Sequence, residues 1–166
     1  MSSDLKADLN KENFDRLNER IETLLTDGII EQRSQAIVHL MLTHRFYCEP
    51  FEIREAFTDG GNDLGVDAVY IDRRGDEPAV HIFQSKVHES VRKASNPFPC
   101  SALEKAVRFF TVLKDNRTDL KKLVNPNLEQ KILEIREAIR DHWPNFKLWL
   151  VSNGASCTGH ELASHA

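Results

Sequence analysis

Two stretches, GGNDLGVDAVYID (60–72) and AVHIFQSKV (79–87), decide how the chain is read. Each is rich in β-branched and aromatic residues, and the polar RRGDEP (73–78) between them is a turn. Together they predict an antiparallel hairpin. Yet the first strand carries Asp67 inside its apolar run, and the second ends in Gln84 and Lys86. Charged groups are costly to bury unless they are paired or bound to something. If Asp72 faces Ala79 across the turn, Asp67 falls opposite Gln84, and Lys86 opposite Gly65. Opposed residues share a face, with Cβ atoms about 5 Å apart. Lys86, two residues beyond Gln84, lies on that face too. An odd slip of register would separate Asp67 from the other two.

The expected register therefore sets a carboxylate, an amide and an ammonium side by side, next to the glycine-rich loop TDGGND (58–63). Carboxylate and amide oxygens are ligands for hard cations such as Mg2+. A lysine beside such an ion suits phosphate chemistry, because it stabilises developing negative charge. The competing reading is a buried Asp67–Lys86 ion pair with Gln84 as hydrogen-bond filler, and geometry alone leaves the two level. Asp59 and Asp63 either shape the loop, which is the favoured reading, or add a second metal site. An EF-hand is excluded: counted from Asp59, position three is Gly61 and position twelve is Tyr70.

Working outward, Phe14, Leu17, Ile21 and Leu24 have helical spacing, which predicts a helix over 10–25 that stops near Gly28. A second helix is expected over 29–45, broken before Pro50. FEIREAF (51–57) alternates like a strand. After a loop at 88–100, Ser101 and Glu104 resemble a capping box opening a helix to Asp115. A linker (116–126) precedes a helix capped by Asn127 and Gln130, with Leu128, Ile132, Ile135 and Ile139 at core spacing. KLWLVSN (147–153) is a last buried strand. Strands apolar on both faces, with helices before and after, predict an α/β layer structure covered on both sides. The predicted organisation is a helical extension, 1–28, and one domain, 29–166. The tail GASCTGHELASHA (154–166) reads as the start of a further element of a longer protein.

Composition is that of an ordinary globular chain: 166 residues, 40% hydrophobic, 29% charged, net charge −4. No apolar run approaches the roughly 20 residues of a membrane-spanning helix, and the polar N-terminus is unlike a secretory signal. The expected location is the cytoplasm. Cys48, Cys100 and Cys157 have no CxxC spacing and read as separate thiols rather than a zinc site. Basic clusters such as Arg92–Lys93, Lys105–Arg108 and Lys121–Lys122 each read as solvated surface.

With Asp67 in GVD and Gln84-Ser85-Lys86 on the next strand, the pattern resembles the PD-(D/E)XK nuclease superfamily. There an acid on one core strand is followed on the next by (D/E)-x-K. Gln replaces the second acid here, as in Mrr-like restriction endonucleases. The longer string DGGNDLGVDAVYID…HIFQSK more closely resembles the N-terminal domain of the AIPR (abortive phage infection) family, densely over 57–87 and loosely over about 30–153. The resemblance implies a restriction-endonuclease-like αβββαβ core with a mixed central sheet, Mg2+-dependent (or Mn2+-dependent) phosphodiester hydrolysis, and a role in phage defence. It implies metal ligands at Asp67, at Gln84 and at the Ser85 backbone carbonyl, and a catalytic lysine at Lys86. A further acid from the preceding helix matches Glu31 in a loose alignment; a solvated helix-start residue is an equally good account of that position. The implied partner is nucleic acid, DNA ahead of RNA, with no membrane; a homodimer is left open. The alternative is a nuclease fold without activity that serves nucleic-acid binding or assembly.

Overall fold

A computed structural model describes residues 2–95, 99, 101–117 and 119–154. Helix α1 (Ser2–Thr26) leads into a 3-10 turn (Arg33–Gln35), α2 (Ala36–His44) and α3 (Pro50–Ala56). Strands β1 (Ala68–Asp72) and β2 (Ala79–Lys86) follow, then α4 (Val91–Ala94), α5 (Ser101–Lys114), α6 (Leu120–Leu123), α7 (Pro126–Asp141) and β3 (Asn145–Ser152). The sheet is mixed, in the order β1-β2-β3: β1 pairs antiparallel with β2, and β2 pairs parallel with β3. The α/β class expected from the sequence is the class observed.

The hairpin register is the expected one, Asp72 opposite Ala79 through Ala68 opposite Phe83. Alternation along the strands then separates two cores. Val69, Ile71, Val80 and Ile82 pack with Phe109, Val112 and Leu113 of α5 and with Leu128, Ile132 and Ile135 of α7. Ala68, Tyr70, Phe83 and Val151 pack with Val38 and Leu42 of α2, Ile53 and Ala56 of α3, and Phe46. On α1, Ile21 and Leu24 pack with Ile30 and Ala36, against Leu40 and Val87. Both sheet faces are thus covered by helices.

The strand expected at 51–57 is a helix. α2 does end before Pro50, as expected, and Pro50 opens α3: its fixed φ suits the first helical position, where no N–H partner is needed. The Glu52 carboxylate accepts the Glu49 N–H at 2.7 Å and closes the first turn. Only Phe57 keeps a β contact, a single antiparallel bridge to Ala68. An αβββαβ core would have four strands; among the described residues three form, besides that isolated bridge. The helix expected at 29–45 is confined to 36–44, and the one expected at 10–25 extends back to Ser2. Ser101 is the first residue of α5 rather than its cap. The expected loop 88–100 contains α4, capped by the Ser90 side chain, and the linker contains α6. The last strand starts at Asn145 rather than Lys147. Cys48 is a buried free thiol; Cys100, Cys157 and the tail from Ala155 lie outside the described residues.

Asn125, not Asn127, caps α7. Its Oδ1 accepts the Leu128 N–H at 2.9 Å, while its Nδ2 donates to the carbonyls of Thr58 (2.8 Å) and Gly61 (3.2 Å). Its own N–H donates to the Asn62 carbonyl. One side chain therefore starts a core helix and pins the glycine-rich loop to it. Asn125→Ala should cost about 2–3 kcal/mol, roughly one for the cap and one for each well-formed bond lost. Asn125→Asp, which keeps only the cap, should fall between that variant and wild type in urea denaturation. Equal stability of Asn125→Asp and wild type would show that the loop bonds contribute nothing.

Candidate functional site

The loop entering β1 is built from its own polar groups. Thr58 is fully buried; its hydroxyl donates to the Val66 carbonyl and its N–H to the Asp67 carbonyl. Asp63 Oδ1 accepts the Gly65 N–H at 2.7 Å, and the Asp63 carbonyl accepts the Val66 N–H. Leu64 has φ of 55°, which costs a non-glycine residue about 1 kcal/mol or more. Gly65 has φ of +74°, and a Cβ there would lie 2.4 Å from Cδ of Lys105. Position 65 needs glycine twice over, for its backbone and for the α5 lysine whose stem crosses it.

Asp67 stands one residue outside the ladder. Its N–H donates to the Phe83 carbonyl, and its Oδ2 accepts the Ser85 N–H at 2.6 Å. The two bonds bracket Gln84, so the carboxylate takes over as β2's partner where the backbone of β1 departs. Burial pushes the Asp67 carboxyl up to about 6 from its ordinary 3.8; the charges of Asp63 and Asp59 push the same way, and the Ser85 N–H and Lys105 oppose them. Gln84 is only 3% exposed, and its Nε2 has no hydrogen-bond partner among the described residues. An unpartnered buried amide costs about 1–3 kcal/mol. A half-turn of this amide offers either an oxygen to a cation or an N–H to an anion.

Asp67, Gln84 and Ser85 are thus brought together. Lys86 is exposed at the end of β2, and no ion pair joins it to Asp67 among the described residues. The buried Asp67–Lys86 pair that the sequence left open is not formed. Lys105 of α5 is close enough to Asp67 to favour its ionised form. Glu31 is exposed, its N–H donating to Gln35 Oε1; its side chain opens onto a groove also lined by Gln35, His39 and Asp59. Buried Gln35 is what reaches the acidic loop, through Asp59. Burial raises the Asp59 carboxyl, against the donors Gln35 and Gln32. Sequence reading missed Gln35, Asn125 and Lys105 as partners of this loop. Only the loop's glycines hinted at a close neighbour.

Among the described residues no group of three or more His, Cys, Asp or Glu side chains is disposed to hold a metal. The donors present are one fixed carboxylate and one unpartnered amide. That set suits a largely hydrated Mg2+, which takes one or two carboxylates and keeps several waters, and does not suit a protein cage. No protein-family model, curated protein or solved structure matches the chain.

The raised carboxyl has a consequence for stability. Asp67 binds its proton more tightly folded than unfolded, so its contribution is favourable below about pH 4 and is lost as pH rises through about 6. The shift corresponds to about 3 kcal/mol, or about 1–2 after allowance for partial solvent access. Asp67→Asn keeps an acceptor for Ser85 and should be more stable than wild type by that amount at pH 7.5, with no advantage at pH 4. Chemical denaturation at the two pH values reads this; equal stability at pH 7.5 would show that Asp67 ionises freely.

Proposed function

We propose that the chain is a metal-dependent phosphodiesterase domain of restriction-endonuclease type acting on nucleic acid, DNA before RNA. The observation that carries this is the Asp67 carboxylate, fixed by the Ser85 N–H beside the buried, unpartnered Gln84 amide, at the strand end that presents Lys86. The one-face register of these residues supports it. So does the resemblance of DGGNDLGVDAVYID…HIFQSK to the AIPR and Mrr-like sequences, which also suggests a place in phage defence. Seen this way, Phe57 and β1–β3 are a reduced version of the four-stranded nuclease core.

Asp67 and Gln84 would hold the ion, with the Ser85 carbonyl as the third donor that the resemblance suggests. Bound Mg2+ lowers the pKa of a coordinated water and polarises a phosphoryl oxygen. Ser85 fixes one oxygen of Asp67 and leaves the other for the ion. Lys86, which makes no ion pair among the described residues, would stabilise the charge that develops on the phosphate in the transition state. Because Asp67 must be ionised to hold the ion, its proton competes with Mg2+, and activity should fall as pH drops.

The reading predicts Mg2+-dependent nicking of plasmid DNA, reduced at least about 100-fold by Asp67→Asn and by Lys86→Ala. Asp67→Asn is the decisive variant, since its fold should be the more stable one. Wild-type nicking in both variants would overturn these roles. The second reading is an inactive nuclease-fold binding module. It is favoured by the neutral Gln84 at an acid position and the net charge of −4. Salt-dependent DNA binding without cleavage would support it.

A further inference from the structure

Lys105 projects from the first turns of α5, a helix anchored by buried Ala102, Ala106 and Phe109. Its stem lies across the backbone of Gly65, with Cβ and Cγ 3.2 Å and Cδ 2.4 Å from where a Cβ of residue 65 would stand. That path carries the side chain from α5 over the loop toward Asp67, two residues further on. The ammonium is exposed and makes no ion pair among the described residues, although Glu104 precedes it on the helix. A lysine stem held against backbone while its head stays unpaired is a cation kept available for a ligand. Gln84 adds an independent sign that something is bound here: a 97% buried side chain whose Nε2 has no partner among the described residues.

We infer that Lys105 is a second phosphate-binding residue of the site. It grips a backbone phosphate of the nucleic acid from the α5 side of Gly65 while Lys86 does so from the end of β2. This rests on the phosphodiester reading above. It adds that the bound strand runs between the tip of β2 and the start of α5, across the face of the Gly65 loop. Lys105 thereby becomes part of the binding surface, where its spacing with Arg108 alone reads as solvated helix.

Counterion release supplies the test. Binding of short labelled duplex and single-stranded DNA, and of single-stranded RNA, is measured by fluorescence anisotropy in EDTA from about 50 to about 300 mM salt. Lys105→Ala should weaken binding several-fold at low salt and flatten the log–log salt slope by about 0.7–0.9, the loss of one phosphate contact. Lys105→Arg should keep the slope, as should Lys114→Ala at the far end of the same helix. A slope unchanged in Lys105→Ala, or an equal loss in Lys114→Ala, overturns the assignment. Wild type that binds neither DNA nor RNA overturns it together with the nuclease reading. Wild type that binds, loses slope on Lys105→Ala and never cuts leaves the phosphate contact standing and removes only the catalysis.

Discussion

The Asp67 carboxylate accepts the Ser85 N–H at 2.6 Å, and the Asp67 N–H donates to the Phe83 carbonyl. Between them these bonds close the end of the hairpin and fix what lies there. Without the side-chain bond, β2 would lose a partner one residue past the ladder, because β1 begins only at Ala68. With it, β2 continues to Lys86 and pairs in parallel with β3 as far as Ser152. Gln84, bracketed by the two bonds, has its side chain on the α5–α7 face, where the neighbouring positions Val80 and Ile82 are core.

The glycine-rich loop is what lets one carboxylate serve as a strand partner. It turns back through a run of positive φ angles at Gly60, Asn62, Leu64 and Gly65. Backbone of that kind persists only when its surroundings over-determine it. Thr58 ties the loop's two ends to each other, Asn125 ties its middle to the start of α7, and Gln35 ties Asp59 to the segment before α2. Two segments distant in sequence, the start of α7 and the chain before α2, therefore converge on this loop. Arg136 of α7 donates to the last carbonyls of α5, holding the two helices that back the site.

Hairpin register was legible because it follows from period two and a turn, and both lie within one continuous stretch of chain. The helices over 101–115 and 128–139 were legible from their apolar spacing. Residues 51–57 were not: Phe51, Ile53, Glu55 and Phe57 alternate as a strand would, while Pro50 and Glu52 together make a helix start that outweighs the pattern. The pairing of Asp67 with Gln84 was readable, since register alone creates it. The neighbourhood of Lys105 was not, because it depends on how α5 crosses the sheet, and packing angle leaves no mark on local sequence. The setting of Glu31 was not legible for a related reason: with the chain irregular until Arg33, helical phase assigned from Ile30 onward has no meaning there.

Several unfavourable terms lie at this end of the sheet, though Arg33 Nε and Tyr47 (φ of 53°) carry similar ones elsewhere. A carboxyl is held where burial resists its ionisation, an amide is buried with no partner on its nitrogen, and a leucine sits at positive φ. His81, on the opposite face, shows a buried polar side chain of this sheet that is satisfied. His81 is buried to a similar degree, yet its Nδ1 accepts the Trp149 Nε1–H at 2.9 Å, and its ring lies among Phe46, Tyr70 and Trp149. A sequence free to optimise stability would satisfy Gln84 as it satisfies His81, or replace it with a residue like Ile82. Local cost without local compensation is the pattern expected where a ligand supplies the missing partner. The groups left open, one carboxylate oxygen, one amide and two lysines that make no ion pair among the described residues, are the ones on which the proposed metal-bound phosphate would draw.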